Sequence, residues 1–208
     1  MSKKKDFFWA SYADLMTSMF FIMLVLFVLA VVMFKQKASE LKAELEEFKK
    51  IEEIKKSINS INEEYFEYSP EFKKHIFKVE VAYYAGQSKI ASLKDPSVIP
   101  SIIDAGNAIK NLIINMSGDK LGSNIQYLII IEGQASLDAY PGNDVLSYQR
   151  ALNLKEFWIE NDINLEGLPN CELVVAGSGV GGVPRDENDE KKNQRFLIHI
   201  IPKTGIVE

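Results

Sequence analysis

The chain has 208 residues, 47% of them hydrophobic and 25% charged, with a formal net charge of −5. That length accommodates one ordinary domain of about 100–150 residues plus an appendage, and the composition is that of a folded rather than a disordered chain. A mildly acidic total gives no electrostatic footprint for nucleic acid. The single cysteine, Cys171, excludes an internal disulfide framework and a multi-cysteine metal site. His75 and His199 lie too far apart in sequence to offer ligand spacing.

Hydrophobicity is concentrated near the start. Leu15 to Phe34 reads LMTSMFFIMLVLFVLAVVMF and contains no charged residue. A bilayer core of about 30 Å needs about 20 helical residues at 1.5 Å each, so this run is long enough to span. Extended back to Phe7, the apolar stretch (7–34) includes one ionisable residue, Asp14. A cleaved signal peptide would have a shorter apolar run ended by a small-x-small cleavage site, and none ends this one. Lys3, Lys4 and Lys5 precede the run, so the positive-inside rule places a short tail (1–6) in the cytoplasm and the remainder across the inner membrane, in the periplasm of a bacterium.

A charged segment without Pro or Gly follows, assigned with its continuation to an amphipathic linker over 35–69. Leu41, Leu45, Phe48, Ile51, Ile54, Ile58 and Ile61 recur at steps of three and four, which predicts a helix with a narrow apolar stripe. So thin a stripe calls for a partner: a second copy of the chain, or the neighbouring domain. Pro70 is taken as the start of a domain over 70–208. In it, Phe77–Ala85 alternates as a strand, Pro96–Met116 has helical periodicity, and Tyr127–Ile131 is a continuous apolar run suited to a central strand. Leu146–Glu160 reads as a second helix, and Leu173–Ala176 and Phe196–Ile201 as further strands. The expected fold is α+β, in the order β-α-β-α-β-β, a mixed sheet with helices.

Asp14 is the first candidate functional residue. A carboxylate in an apolar helix costs about 2.5–3.5 kcal/mol on insertion scales and marks an ion or proton path, unless it lies at the interface with Trp9 and Tyr12 as an aromatic belt. The stretch Phe8-Trp9-Ala10-Ser11-Tyr12-Ala13-Asp14-Leu15-Met16-Thr17 resembles the opening of the membrane helix in MotB-type stator subunits, W-x-x-(S/T)-Y-A-D-(L/M)-x-T. It is closer still to F-W-x-S-Y-A-D-L-M-T, typical of the ZorB components of Zorya anti-phage systems. The resemblance implies that Asp14 binds and releases the translocated cation, a proton or sodium, with Tyr12 and Thr17 shaping its site. It also implies no cofactor, a homodimer, and a polytopic MotA-like or ZorA-like partner, five copies to two of this chain.

A second constellation comprises Gly133-Gln134-Ala135-Ser136, then Asn143, Leu146, Ser147, Arg150 and Ala151. It resembles the OmpA-like peptidoglycan-binding signature, G-H-T-D followed by N-x-x-L-S-x-x-R-A. Gly177, Gly179 and Pro184 fit the family's G-x-G…P stretch, and Asn193-Gln194-Arg195-Phe196 its N-R-R-V. The resemblance implies an acid and an arginine that clamp the charged groups of diaminopimelate in the wall peptide, with Asn143, Arg150 and Arg195 among the contacts. A guanidinium suits a carboxylate because its fork grips both oxygens. Ser136 stands where that pattern has aspartate, Gln134 and Ala135 replace His and Thr, and Gln194 replaces an arginine. Asp138, two residues on, is the nearest acid to replace it. A dimerising scaffold that no longer grips the wall remains the alternative.

Gly177-Ser178-Gly179-Val180-Gly181-Gly182 spells a dinucleotide fingerprint, but a polar, turn-like Pro184–Asp189 segment stands where that motif needs a helix. No nucleophile has a visible base and no carboxylates are paired, so the sequence supports no catalytic reading.

Overall fold

The structure, a computed structural model, describes residues 3–118, 125–138 and 140–203. The chain divides into two compact units, Met1–Lys49 and Lys50–Glu208. A single helix, α1 (Lys3–Asn59), begins in the first and ends in the second. Neither Pro nor Gly interrupts its 57 residues, so each N–H past the first turn has its partner four residues back. A window within Ser11–Asn59 has a mean hydropathy of 2.8, long and apolar enough to cross a membrane.

The second unit continues with β1 (Phe66–Ser69), β2 (Lys74–Phe77), α2 (Ile99–Gly118), β3 (Gln126–Gly133), α3 (Asn143–Glu160), β4 (Cys171–Gly177) and β5 (Phe196–Lys203). The five strands form one mixed sheet in the order β1-β2-β5-β3-β4. β3 and β4 are parallel, joined by α3 as the crossover, and the other neighbours are antiparallel. This is the expected α+β architecture with one more strand at its front.

Along β3, Tyr127, Ile129 and Ile131 alternate into a core shared with Ile102, Ala105, Ile109 and Ile113 of α2 and Leu154 and Trp158 of α3. Ile198 and Ile200 of β5 join the same core, whereas Ile201 and Val174 are exposed. The Trp158 indole N–H donates to Ile102 O at 2.8 Å and its ring covers Gly106, where an added Cβ would come within 2.6 Å of Nε1. Gly106→Ala is therefore expected to cost about 1–3 kcal/mol by overpacking, measured by denaturant titration followed through tryptophan emission.

The boundary placed at Pro70 falls within the β1–β2 turn, because β1 precedes it and the compact unit begins at Lys50. The amphipathic stripe explains why. Ile54, Ile58 and Ile61 are buried in the domain core, and Ile58 O meets the buried His75 Nε2 at 3.0 Å, so the end of α1 is a domain element. Leu41, Leu45 and Phe48 remain exposed. The strand expected over Phe77–Ala85 is shifted to Lys74–Phe77. Residues 78–82 keep strand-like alternation of burial but form no ladder, and Tyr83 makes a single bridge with Leu93. The helix expected from Pro96 begins as a 3-10 turn, Pro96–Val98, capped by Asp95, whose side chain accepts from Ser97 N, and becomes α-helical at Ile99.

Candidate functional site

Three glycines bring the carboxyl ends of β3 and β4 against α3. A Cβ on Gly133 would lie 2.0 Å from Ser147 O, and one on Gly177 would lie 2.4 Å from Tyr148 N. Gly179 has φ +52 and would place a Cβ 1.8 Å from Asp144 Oδ1, so both its backbone and its space exclude a side chain. Ser147 Oγ accepts from Gly179 N at 2.9 Å, closing the contact. The G-x-G stretch thus serves close packing of strand on helix, and the chain beyond it turns through Val183–Pro184 into the 3-10 segment Glu190–Asn193.

This packing sets Arg150, on α3, beside the loop that leaves β3. Arg150 is 4% exposed. Its Nε donates to Gln87 O at 3.1 Å and its guanidinium carbon lies 4.4 Å from the centre of the Tyr83 ring. The bond to Gln87 is the one hydrogen bond of the guanidinium among the described residues, none of which pairs with either Nη. Burial pulls the guanidinium pKa down, opposed by the charges of Tyr83 and Asp138.

Four of the expected contacts converge here. Asn143 Nδ2 donates to Asp138 Oδ1 at 2.9 Å, and Tyr140 N donates to the same oxygen at 3.0 Å. Ser136 Oγ lies 3.5 Å from Asp138 Oδ2. The Asn143 hydrogen bond, then that of Tyr140, holds the exposed Asp138 carboxyl below the usual range, with smaller help from Ser136 and the Arg150 charge. Arg150, Asp138, Asn143 and Ser136 therefore form one site, a cationic fork with a carboxylate on the facing loop.

Arg195 stands apart from it. Its Nε donates to Gln134 Oε1 at 2.9 Å and its Nη2 to Pro184 O at 2.8 Å, so it braces the loop behind β3. The Gln134 amide nitrogen bonds Gly182 O and Pro184 O in the same brace. The neighbouring Gln194 reaches the site instead, its Nε2 3.0 Å from Ser136 Oγ. Tyr83, Gln87 and Gln194 complete the surroundings of Arg150 and Ser136. Sequence gave no signal for Gln87, whose contribution is a backbone carbonyl.

Behind the site, Glu132 is 7% exposed and accepts from Lys74 Nζ at 3.0 Å and pairs with His199 Nε2 at 2.6 Å. Lys74 also donates to Val183 O at 2.8 Å, which ties β2, β3 and β5 to the Pro184 loop. Burial alone raises the Glu132 pKa, but hydrogen bonds from His199, Ser178 and Lys74, with the Lys74 charge, outweigh it and bring the carboxyl to about 2.

On α1, Asp14, Tyr12 and Thr17 are exposed, as is nearly all of the apolar run. The Asp14 carboxylate has no hydrogen-bond or ion-pair partner among the described residues, and its backbone carbonyl accepts from the Ser18 hydroxyl at 2.8 Å. The Thr17 hydroxyl donates to Ala13 O at 2.6 Å and so turns to its own helix, and the Tyr12 ring packs edge-on to Trp9 at 6.3 Å.

No protein-family model matches the chain, and no curated protein sequence matches it. Among solved structures it is similar to the periplasmic domain of Helicobacter pylori MotB, at 14% identity over 64% of this chain and 86% of that one, with a TM-score of 0.42. It is also similar to a MotB-like protein from Desulfovibrio vulgaris, at 15% identity over 76% and 98%, TM-score 0.42. A third likeness is the peptidoglycan-associated lipoprotein from Burkholderia pseudomallei, at 14% identity over 58% and 88%, TM-score 0.36.

Proposed function

We propose that this chain is the B subunit of an ion-driven motor in the bacterial inner membrane, its N-terminus cytoplasmic and its α+β unit anchored to peptidoglycan. The observation that carries the transport reading is Asp14, an acid in an apolar helix whose carboxylate has no partner among the described residues. A lone carboxylate there gains from a neighbour that supplies water or a countercharge, and one helix cannot line a channel alone. A polytopic MotA-like or ZorA-like subunit fills that need. Two copies of this chain to five of the partner follow the stator pattern, and the exposed Leu41, Leu45 and Phe48 stripe suits pairing between the two copies. Protonation of Asp14 would change its contacts with the five partner copies around it and drive rotation. The Phe8–Thr17 motif favours a Zorya-like defence role over flagellar torque.

The chain co-expressed with its polytopic partner in proteoliposomes should carry a proton flux that Asp14→Asn reduces to background, while the variant still inserts and copurifies with that partner. Full flux in Asp14→Asn overturns the ion-carrying role of Asp14, and no flux from the wild-type complex leaves a passive wall anchor. Flux that requires sodium and survives a protonophore would replace the proton with sodium.

A further inference from the structure

The loop that carries Asp138 is fastened by the segment running from Gly179 to Arg195. Gln134 N donates to Arg195 O and Ala135 N to Gly179 O, both at 2.9 Å. Two further bonds to the loop come from side chains. Arg185 Nη1 donates to Ala135 O at 3.1 Å, and Glu190 Oε2 accepts from Leu137 N at 2.9 Å. The same carboxylate oxygen accepts from Arg185 Nη2 at 2.7 Å, so one atom joins both fastenings. The Leu137 N–H, then Asn193 and Arg185, hold the Glu190 carboxyl below its ordinary range. Glu190 is itself well seated. It opens the 3-10 segment Glu190–Asn193, which Asp189 caps by accepting from Lys191 N. The buried Asn193 accepts from Asp186 N at 2.8 Å and donates to Asp186 O at 3.0 Å.

Burial holds the loop only as far as Ser136. Leu137 is 65% exposed, and Asp138 and Tyr140 are exposed as well. An exposed loop keeps one conformation where hydrogen bonds fix it. Asn143 orients the Asp138 carboxylate, and the Leu137 anchor, one residue before, fixes the main chain that carries it. We propose that Glu190, with Arg185 bonded to it, is a positioning residue for ammonium recognition: it holds Asp138 where that carboxylate takes the ammonium of a ligand whose carboxylate Arg150 grips. The inference rests on reading the Arg150 site as the wall-peptide site. The two charges of the ligand then depend on separate supports, α3 for Arg150 and the Glu190 anchor for Asp138. Loosening the anchor removes selection for the ammonium and spares selection for the carboxylate. An ion pair at the surface adds little to global stability, so the fold survives its loss.

Meso-diaminopimelate and pimelate test this, because pimelate has the same carbon chain and carboxylates without the ammonium groups. Each competes with purified wall sacculi for the full-length chain in detergent, and the concentrations that halve co-sedimentation are compared. The wild type should prefer diaminopimelate by about tenfold or more, the worth of one charge-assisted hydrogen bond. Glu190→Ala should abolish most of that preference while the pimelate value and the urea midpoint stay near those of the wild type. Glu190→Gln should restore it, because a carboxamide oxygen can accept from both Leu137 N and Arg185. A wild type without the preference overturns the wall-peptide reading and this inference with it. A preference kept in Glu190→Ala overturns the inference alone, as does an equal loss of both competitors or a Glu190→Gln variant that behaves as Glu190→Ala.

Discussion

Glu132→Ala should destabilise the Lys50–Glu208 unit by about 3–5 kcal/mol, the usual cost of removing one partner from a buried ion pair. The truncation leaves Lys74, with a side chain 15% exposed, facing only Val183 O, and it releases His199 from β3. Three strands and the Pro184 loop lose their common anchor. Urea titration of the full-length chain in detergent, read through Trp158 emission, measures the loss, and a change below about 1 kcal/mol would refute the anchoring role. The same group gives a pH dependence with a defined sign. Its folded pKa is depressed to about 2 from an ordinary 4.5, so its contribution is fully present above about 4.5 and is lost as pH falls toward 2. Glu132→Gln should flatten stability across that acid window.

Arg150→Ala should lower affinity for isolated peptidoglycan by roughly a hundredfold or more. Two charge-assisted hydrogen bonds at about 1.5–3 kcal/mol each exceed the 2.8 kcal/mol that a hundredfold represents. Arg150→Lys should recover little, because an ammonium does not fork onto two carboxylate oxygens as the guanidinium held over the Tyr83 ring can. Co-sedimentation with purified wall sacculi, with free diaminopimelate as competitor, reads the effect, and melting of each variant controls for folding. Sedimentation of Arg150→Ala equal to that of a binding wild type would remove Arg150 from wall recognition, and failure of the wild type itself to sediment would leave the domain a scaffold without grip on the wall.

The elements most legible in the sequence were those whose pattern is set by a single environment. The Leu15–Phe34 run, the Tyr127–Ile131 strand and α3 each show one uninterrupted pattern, and each forms where that pattern puts it. The misplacements have a common cause. Phe77–Ala85 has the alternation of a strand, but alternation reports which side chains are covered and is silent on whether a neighbour supplies hydrogen bonds. β1 is four residues long with only Phe66 fully buried, too short to rise above its flanks. The stripe on α1 showed that a partner was required; the change of environment between Phe48 and Ile54 depends on where the domain folds back, which periodicity does not encode.

At the candidate site, Asn143, Ser147 and Arg150 were visible because they match the N-x-x-L-S-x-x-R-A stretch of the OmpA-like signature, and α3 carries all three. Asp138 was visible as the nearest acid. Arg195 was assigned to the same cluster because it matches an arginine of the N-R-R-V stretch, but adjacent residues of an extended segment face opposite ways, and only Gln194 reaches Ser136.

The Gln194 carboxamide also dictates which way protons point. Its oxygen is committed to the Tyr83 amide, which can only donate, so its nitrogen must donate to Ser136 Oγ. That leaves the serine hydroxyl hydrogen for Asp138, and the carboxylate in turn takes N–H from Asn143 and Tyr140. Every link runs in one direction and ends on an anion. The chain of bonds thus ends on the Asp138 carboxylate, so an incoming ammonium or amide N–H is welcome on this side of the site and a second carboxylate is repelled by its charge. With the Arg150 guanidinium also in the site, charge has a direction there: a zwitterionic end group fits in one orientation only.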